Sequence, residues 1–407
     1  MSKRKRRMEV VVESLAAGGD GVSRGEDGRV TFVPRAAPGD RLLVSLVQER
    51  KQFARGKIVQ ITKPSDQRVE PKCALFADGL CGGCQWQHVE RSAQLVAKEQ
   101  IVQQGLRRAI GLGMACEPIL DPCPPLHWRR RARFSFWAGG PKVIGFFPLG
   151  ENKKITDIAT CPQLEEGLQR ALTEIRTHLL PGLSARGEVS LLLGSNGQCH
   201  VSIHGSANRK SVQALASAEC IAGVTHGPRT TGKSAVTLEG GILCAADSFA
   251  QASALGNQAL CETVASAMGP VGGARVLELY AGTGNFTRLL HAASEVVAVE
   301  SGIVGKDASN VTWRKADAAE HCQALAEKDE QFDVVLLDPP RSGAREVMPH
   351  IAALQPRRIV YVSCDVATLA RDIAMLGEHG YVAKSAQPID LMPQTSQVEV
   401  VLVLERI

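Results

Sequence analysis

Three stretches of the 407-residue sequence carry reactive residue types at spacings that chemistry can use. The first is Cys81-Gly-Gly-Cys84, with Cys73 ahead of it and Cys161-Pro162 far downstream. A Cys-x-x-Cys pair can bind zinc, exchange electrons or hold an iron–sulfur cluster, because all three need thiolates held close together. Spacing alone does not choose among them, although a thioredoxin-like pair belongs at a strand-helix junction and this one lies in a Cys/Gly-rich loop. The second stretch, Val276-Leu-Glu-Leu-Tyr-Ala-Gly-Thr-Gly-Asn-Phe-Thr287, reads as a buried strand, a Gly-x-Gly turn and a helix start. Gly282 and Gly284 let the backbone approach a ligand at the carboxyl end of a strand, where open α/β sheets bind their ligands. The third is a pair of strand ends, Leu336-Leu-Asp-Pro-Pro-Arg341 and Ile359-Val-Tyr-Val-Ser-Cys-Asp365. They bring Asp338 and Cys364 to the same sheet edge as the turn, where a carboxylate can bond substrate or cofactor and a thiol can act as a nucleophile.

The Gly-x-Gly turn by itself would also suit a dinucleotide, or a tight turn with no ligand. Two acids point to S-adenosylmethionine instead. Glu300 ends Val297-Ala-Val-Glu300, where a carboxylate accepts both ribose hydroxyls, and Asp317 follows the next strand, within reach of an adenine amine. A dinucleotide fingerprint needs a third glycine, and Phe286-Thr287 does not supply one. The expected cofactor contacts are therefore Tyr280, Gly282, Gly284, Asn285, Glu300, Asp317 and Asp338.

The elements that must hold these residues follow from the patterning. After about Asp247, helical stretches alternate with short buried strands at Ala274–Leu279, Glu295–Glu300, Val311–Arg314, Asp333–Leu337, Arg358–Ser363, Ala383–Asp390 and Val398–Leu404. Seven strands with intervening helices predict a doubly wound α/β sheet for residues 247–407. The last two strands leave no room for a helical crossover and should pair antiparallel. Residues 64–246 read as a central α+β domain. It begins with the cysteine loop and a long amphipathic helix at about 89–111 that should pack on the 247–407 domain. Strand-like segments follow at Arg131–Trp137, Lys142–Phe147 and Glu188–Leu193. Residues 1–63 show short β-type runs at Glu9–Glu13, Arg29–Pro34, Arg41–Glu49 and Gly56–Thr62, punctuated by Gly and Pro, which suggests a small barrel.

Charge separates these parts. The chain carries a formal +5, yet residues 1–63 hold fourteen Lys/Arg against seven Asp/Glu, so this segment is +7 and the remainder −2. A basic module on a near-neutral body is the electrostatic footprint of polyanion binding. The run Trp128-Arg-Arg-Arg-Ala-Arg133 adds an aromatic among guanidiniums, a pattern suited to single-stranded RNA, although an alternating strand with one basic face reads the same way. No apolar run approaches the ~20 residues that span a bilayer, and the basic start has no apolar segment behind it. A cytoplasmic, reducing setting is thus expected, with twelve cysteines kept as thiols.

Several of these motifs resemble one family. Leu15-Ala-Ala-Gly-Gly-Asp-Gly-Val-Ser-Arg24 with Val33-Pro-Arg-Ala-Ala-Pro-Gly-Asp40 resembles a TRAM domain, an OB-like RNA-binding barrel. Cys81-Gly-Gly-Cys-Gln-Trp-Gln-His88, Cys161-Pro-Gln-Leu164 and the C-terminal motifs are similar to the iron–sulfur uracil-C5 RNA methyltransferases of the 23S rRNA type, over essentially the whole chain. The resemblance implies a class I methyltransferase domain, S-adenosylmethionine, and a [4Fe–4S] cluster on Cys73, Cys81, Cys84 and Cys161. Seven residues separate Cys73 from Cys81, where the family usually has about five, and zinc is the alternative occupant. The resemblance further implies that Cys364 adds to carbon 6 of uracil, and that Glu399, in Asp390-Leu-Met-Pro-Gln-Thr-Ser-Gln-Val-Glu399, removes the carbon 5 proton. Gln397 stands where the family usually has His. Gln251, in Asp247-Ser-Phe-Ala-Gln-Ala-Ser253, matches a residue near the cofactor. The implied partner is ribosomal RNA, acted on by a monomer, with uridine 54 of tRNA as the alternative substrate.

Overall fold

The protein is described by a computed structural model, which covers residues 6–407 apart from 26–27, 111–114, 303–304 and 306–307, with the backbone alone for 108–110. Met1–Lys5 of the basic start therefore lie outside the described residues. Between Arg7 and Lys63 the described residues form a six-stranded sheet from Arg7–Val11, Ser14–Leu15, Gly21–Arg24, Val30–Val33, Arg41–Glu49 and Phe53–Lys63. Alternation drives it: Leu42, Val44 and Leu46 point inward with Val10, Val12, Val33 and Ala54, while Arg41 and the ends of the long strands face solvent. The short strand Gly21–Arg24, hidden in the Gly-rich stretch, adds to the expected set by pairing with Val30–Val33.

A second, seven-stranded sheet spans the middle of the chain, from Arg131–Trp137 to Arg229–Gly232. Ala132, Phe134 and Phe136 enter its core together with Leu168, Leu172 and Ile175, from the helix at Glu166–Glu174 and the turn after it.

The C-terminal sheet carries Asp338 and Cys364 just beyond the ends of two of its strands. Its strands in chain order are β1 (Ala115–Cys116), β2 (Arg275–Leu279), β3 (Glu295–Glu300), β4 (Val311–Lys315), β5 (Val334–Leu337), β6 (Arg358–Ser363), β7 (Tyr381–Ile389) and β8 (Glu399–Arg406). Across the sheet they run β4-β3-β2-β5-β6-β8-β7-β1. The five strands β4, β3, β2, β5 and β6 are mutually parallel, and β8 runs antiparallel between β6 and β7. Buried on both faces, β2, β3, β5 and β6 read as near-continuous apolar runs. An eighth strand, β1, joins the seven read from the sequence: only two residues long, it comes from far up the chain and pairs parallel with β7.

The helix Arg91–Ile110 ties the cysteine loop to this sheet. Val102 and Leu106 lie in the same core as Leu369, Ile373 and Leu376 of the helix Val366–Gly377. Lys98, wholly buried, donates to Asp390 Oδ1 at 2.5 Å, and Arg91 donates to Asp390 Oδ2 at 2.5 Å. A buried carboxylate is tolerated because both oxygens are charge-paired.

Candidate active site

The carboxyl ends of β2, β3, β5 and β6 open onto one crevice, as the parallel order of these strands requires. Cys364 follows β6 immediately and precedes Asp365, whose side chain caps the helix Val366–Gly377 by accepting from Thr368 N at 2.9 Å. The thiol is thus fixed between a rigid strand and a capped helix, half-buried. Glu399 begins β8 and is 5% exposed. Asp338 follows β5.

These three acids act on one another, and Arg341 is the cation among them. Burial pushes the Cys364 thiol up to about 11, with Glu399 and Asp338 adding to the rise, while the charge and hydrogen bond of Arg341 pull the other way. Glu399 is pushed well above the usual carboxylate range by burial and then by Asp338, again opposed by Arg341. Burial raises Asp338 to about 7. Arg341 itself is exposed, but its Nη2 donates to Gln397 Oε1 at 2.6 Å, which fixes the direction of the guanidinium. Sequence reasoning assigned no role to Arg341. The signal was the arginine directly after Asp338-Pro-Pro340.

The glycine turn is built as its spacing predicts. Gly282 and Gly284 have φ of 57° and 89°, and Tyr280 adopts φ 60° at a non-glycine position. Glu300 secures the turn, accepting from Gly282 N at 2.9 Å on one oxygen and from Gly302 N at 2.7 Å on the other. Asp317 follows β4 and caps the next helix by accepting from Ala319 N and Glu320 N, both on Oδ1. Tyr280 lies close enough to feel the charge of Asp317.

Asn285 is engaged differently: its side-chain amide forms a reciprocal pair with Asn257, at 2.8 and 3.0 Å, locking the turn to the helix Ala254–Met268. Gln251 lies just before that helix, half-buried, and its carbonyl accepts from Arg130 Nε at 3.1 Å. Glu278 is a further acid at this edge that sequence reasoning passed over. It is 1% exposed within β2, and burial raises it to about 8 against the opposing pull of Thr287. An acid inside the apolar run Val276–Leu279 was the available clue.

Away from the crevice, the fold gathers Cys73, Cys81, Cys84 and Cys161. Cys81 feels the charge of Cys161 and Cys73, Cys84 that of Cys161 and Cys81, and Cys161 that of Cys73. Gly83 N donates to Cys81 Sγ at 3.4 Å, and Gln87 Nε2 donates to Cys84 Sγ at 3.3 Å. Among the described residues no group of three or more His, Cys, Asp or Glu side chains closes around a single metal ion.

One expectation is overturned. Trp128 is 2% exposed, with its indole N–H donating to Gln163 Oε1 at 2.7 Å, and Arg130 is buried against Glu239. Neither can meet RNA, because the aromatic in this run satisfies its polar atom inside the core.

The sheet order and the glycine turn are those of a class I methyltransferase fold. Residues 243–407 match the model of the tRNA (uracil-5-)-methyltransferase family, and residues 2–59 match the TRAM domain. A 23S rRNA (uracil(1939)-C(5))-methyltransferase, RlmD, of Vibrio parahaemolyticus is 33% identical over 98% of this chain and 96% of its own. The enzyme of the same name from Pectobacterium atrosepticum is 32% identical over 96% and 92%. The tRNA (uracil-54, C5)-methyltransferase of Pyrococcus abyssi, solved with S-adenosyl-L-homocysteine, superposes with a TM-score of 0.72 at 21% identity, covering 98% of this chain and 100% of that one, and so shares its fold. The chain belongs to the RNA uracil-C5 methyltransferase family. It is an S-adenosylmethionine-dependent enzyme that methylates carbon 5 of uracil in RNA, with an N-terminal TRAM domain.

Proposed function

We propose that the substrate is a uridine of 23S rRNA, that Cys364 is the nucleophile and Glu399 the general base, and that Cys73, Cys81, Cys84 and Cys161 hold a [4Fe–4S] cluster. The convergence of Cys364, Glu399, Asp338 and Arg341 at one sheet edge carries the catalytic part of this reading. Carbon 5 of uracil is a poor nucleophile. Cys364 gives its proton to solvent to form the thiolate that Arg341 favours, and the thiolate adds to carbon 6, which makes carbon 5 enolate-like. S-Adenosylmethionine, when bound against the glycine turn, supplies the methyl group. Glu399 then takes the proton left on carbon 5, the carbon–sulfur bond breaks, and the electron pair returns to Cys364 as the ring recovers its double bond. Glu399 must be ionised for this step. The burial and the repulsion from Asp338 that raise its proton affinity make the ionised carboxylate a strong base.

For the methyl donor, Glu300 faces the turn from the end of β3, the position for ribose hydroxyls, and Asp317 follows β4, the position for the adenine amine. Tyr280, Gly282 and Gly284 form the wall of the turn, Gln251 stands before it, and Asn285 contributes by holding it in shape.

The cysteine site fits an iron–sulfur cluster by its donor set: four thiols brought near one another from separate stretches of the chain, with backbone and side-chain N–H groups donating to sulfur, as cluster ligation favours. Protein purified without oxygen should be brown and contain about four irons per chain if one [4Fe–4S] cluster is held. Cys161→Ala should lose iron, since one ligand ties the loop to the middle domain. Colourless protein with stoichiometric zinc would contradict the cluster.

The relatives of the RlmD name support ribosomal RNA as the substrate, at full length and with matching coverage. Mass mapping of 5-methyluridine in 23S rRNA and tRNA from cells with and without the gene tests it. A methyl group lost from 23S rRNA alone is the expected result; loss at uridine 54 of tRNA would move the assignment to tRNA.

A further inference from the structure

The loop between β7 and β8, residues 390–398, ends on Glu399 and belongs by sequence to the catalytic domain. Its conformation is nonetheless set from the cysteine loop. Gln394 takes φ 66°, a left-handed backbone that a side chain bearing Cβ adopts only when neighbouring structure imposes it. The segment directly after Cys84 bonds to this residue. The carbonyl of Gln394 accepts from Gln85 N and Trp86 N, both at 3.0 Å. Gln94, 1% exposed, receives the backbone N–H of Gln394 on Oε1 at 3.1 Å and donates through Nε2 to Gln394 Oε1 at 3.0 Å. The same Nε2 lies against the carbonyls of Trp86 and Val89, at 3.1 and 2.8 Å, so a single buried amide joins the cysteine loop to the catalytic loop. Ser396 N adds a longer bond to Gln85 Oε1 at 3.4 Å.

The chain of contacts continues to the reacting groups. Gln397 N donates to Thr395 Oγ1 at 3.3 Å, Gln397 Oε1 receives Arg341, and Arg341 reaches Cys364. Glu399 is two residues further on, and its backbone pairs with Ile389 where the loop closes. A loop pinned at Gln394 and Ser396 by hydrogen bonds with Gln85, Trp86 and Gln94 leaves the base little freedom to leave the position it needs.

We propose that Gln94, with the backbone of Gln85 and Trp86, is a positioning element for Glu399 and Gln397, so that an intact four-cysteine site governs how fast the methylated covalent intermediate is resolved. This rests on the proposed roles of Cys364 and Glu399 and on the proposed cluster, and assigns the cysteine site a task in the reaction beyond holding the central domain together. A displaced base slows proton removal from carbon 5 more than the preceding steps, since a shift of about 1 Å in a reacting group costs on the order of a hundredfold.

The experiment uses full-length protein purified without oxygen. Gln94→Leu, which keeps the buried volume close but removes the amide, is compared with wild type and with wild type stripped of iron by an anaerobic chelator. The expected result for Gln94→Leu is unchanged iron content and unchanged affinity for S-adenosylhomocysteine, with resolution of the methylated enzyme–RNA adduct slowed roughly tenfold to a hundredfold. The adduct then accumulates as a shifted band on a denaturing gel. Iron-stripped wild type should accumulate the same adduct. Gln394→Gly, which removes the left-handed strain and the side-chain bonds but keeps both backbone contacts to residues 85 and 86, should accumulate less than Gln94→Leu. If Gln94→Leu slows adduct formation and resolution equally, or lowers only the folded fraction, the proposal is overturned. It is equally overturned if iron removal leaves resolution untouched. Failure of the underlying reading looks different: Cys364→Ala would then form adduct as well, or wild type purified without oxygen would contain no iron to strip.

Discussion

Cys364→Ala should bind RNA and S-adenosylmethionine yet form neither methylated product nor covalent adduct, because carbon 6 has no sulfur to receive. Glu399→Gln should fail later. It keeps the thiol, so addition and methyl transfer proceed, but the carbon 5 proton remains and the sulfur cannot leave. A methylated adduct accumulates, and turnover falls by about 10²–10⁴-fold, the usual worth of a general base. The contrast has a structural origin: Cys364 sits at the end of β6 and Glu399 at the start of β8, adjacent antiparallel strands that bring the two groups to the same sheet edge. Adduct in the first variant, or equal loss of adduct in both, would contradict the division of labour.

The second large effect is on pH. With its thiol pushed up to about 11, Cys364 in the free enzyme is almost wholly protonated at neutral pH, and the thiolate fraction rises about tenfold for each pH step of one as the solution becomes more alkaline. Alkylation of Cys364 by iodoacetamide, followed by peptide mass, should therefore climb steadily from about pH 7 to about pH 10 without levelling. Arg341 favours the thiolate, so Arg341→Met should carry the rise to still higher pH and slow alkylation at about pH 8, in proportion to the thiolate fraction lost. A plateau near about pH 9 that ignores Arg341 would show that neither burial nor the guanidinium controls this sulfur.

How much of this was legible in the sequence depends on range. The parallel strands announced themselves by apolar runs such as Val334–Leu337, and Arg41–Glu49 by its alternation, because local pattern and burial coincide there. The antiparallel closing pair followed from the short connection between β7 and β8. Ala115–Cys116 could not be read, since two residues have no periodicity and their partner, β7, lies more than 260 residues away. The same holds at the site. Cys364, Glu300 and Asp317 stand at strand ends and were visible there, whereas the Asn257–Asn285 lock and the Arg341–Gln397 bond join residues distant in sequence and exist only in the folded chain. Trp128 misled for a local reason: flanked by arginines it has the look of a surface residue, and only Gln163, 35 positions on, explains its burial.

The departure at Gln397 has the same origin. Read as sequence, it is a missing imidazole. In the fold its amide oxygen holds Arg341 toward Cys364, so a side chain with no titratable proton serves by orienting a charge.

Trapping the covalent intermediate identifies the nucleophile. RNA carrying 5-fluorouridine at the target position should stop the wild-type enzyme at the adduct, because fluorine cannot leave as a proton does. Proteolysis and peptide mass should place the modified nucleotide on the peptide containing Cys364, and Cys364→Ala should give no trapped species. A nucleotide mapped to any of the other eleven cysteines, or an adduct that survives Cys364→Ala, would contradict the account.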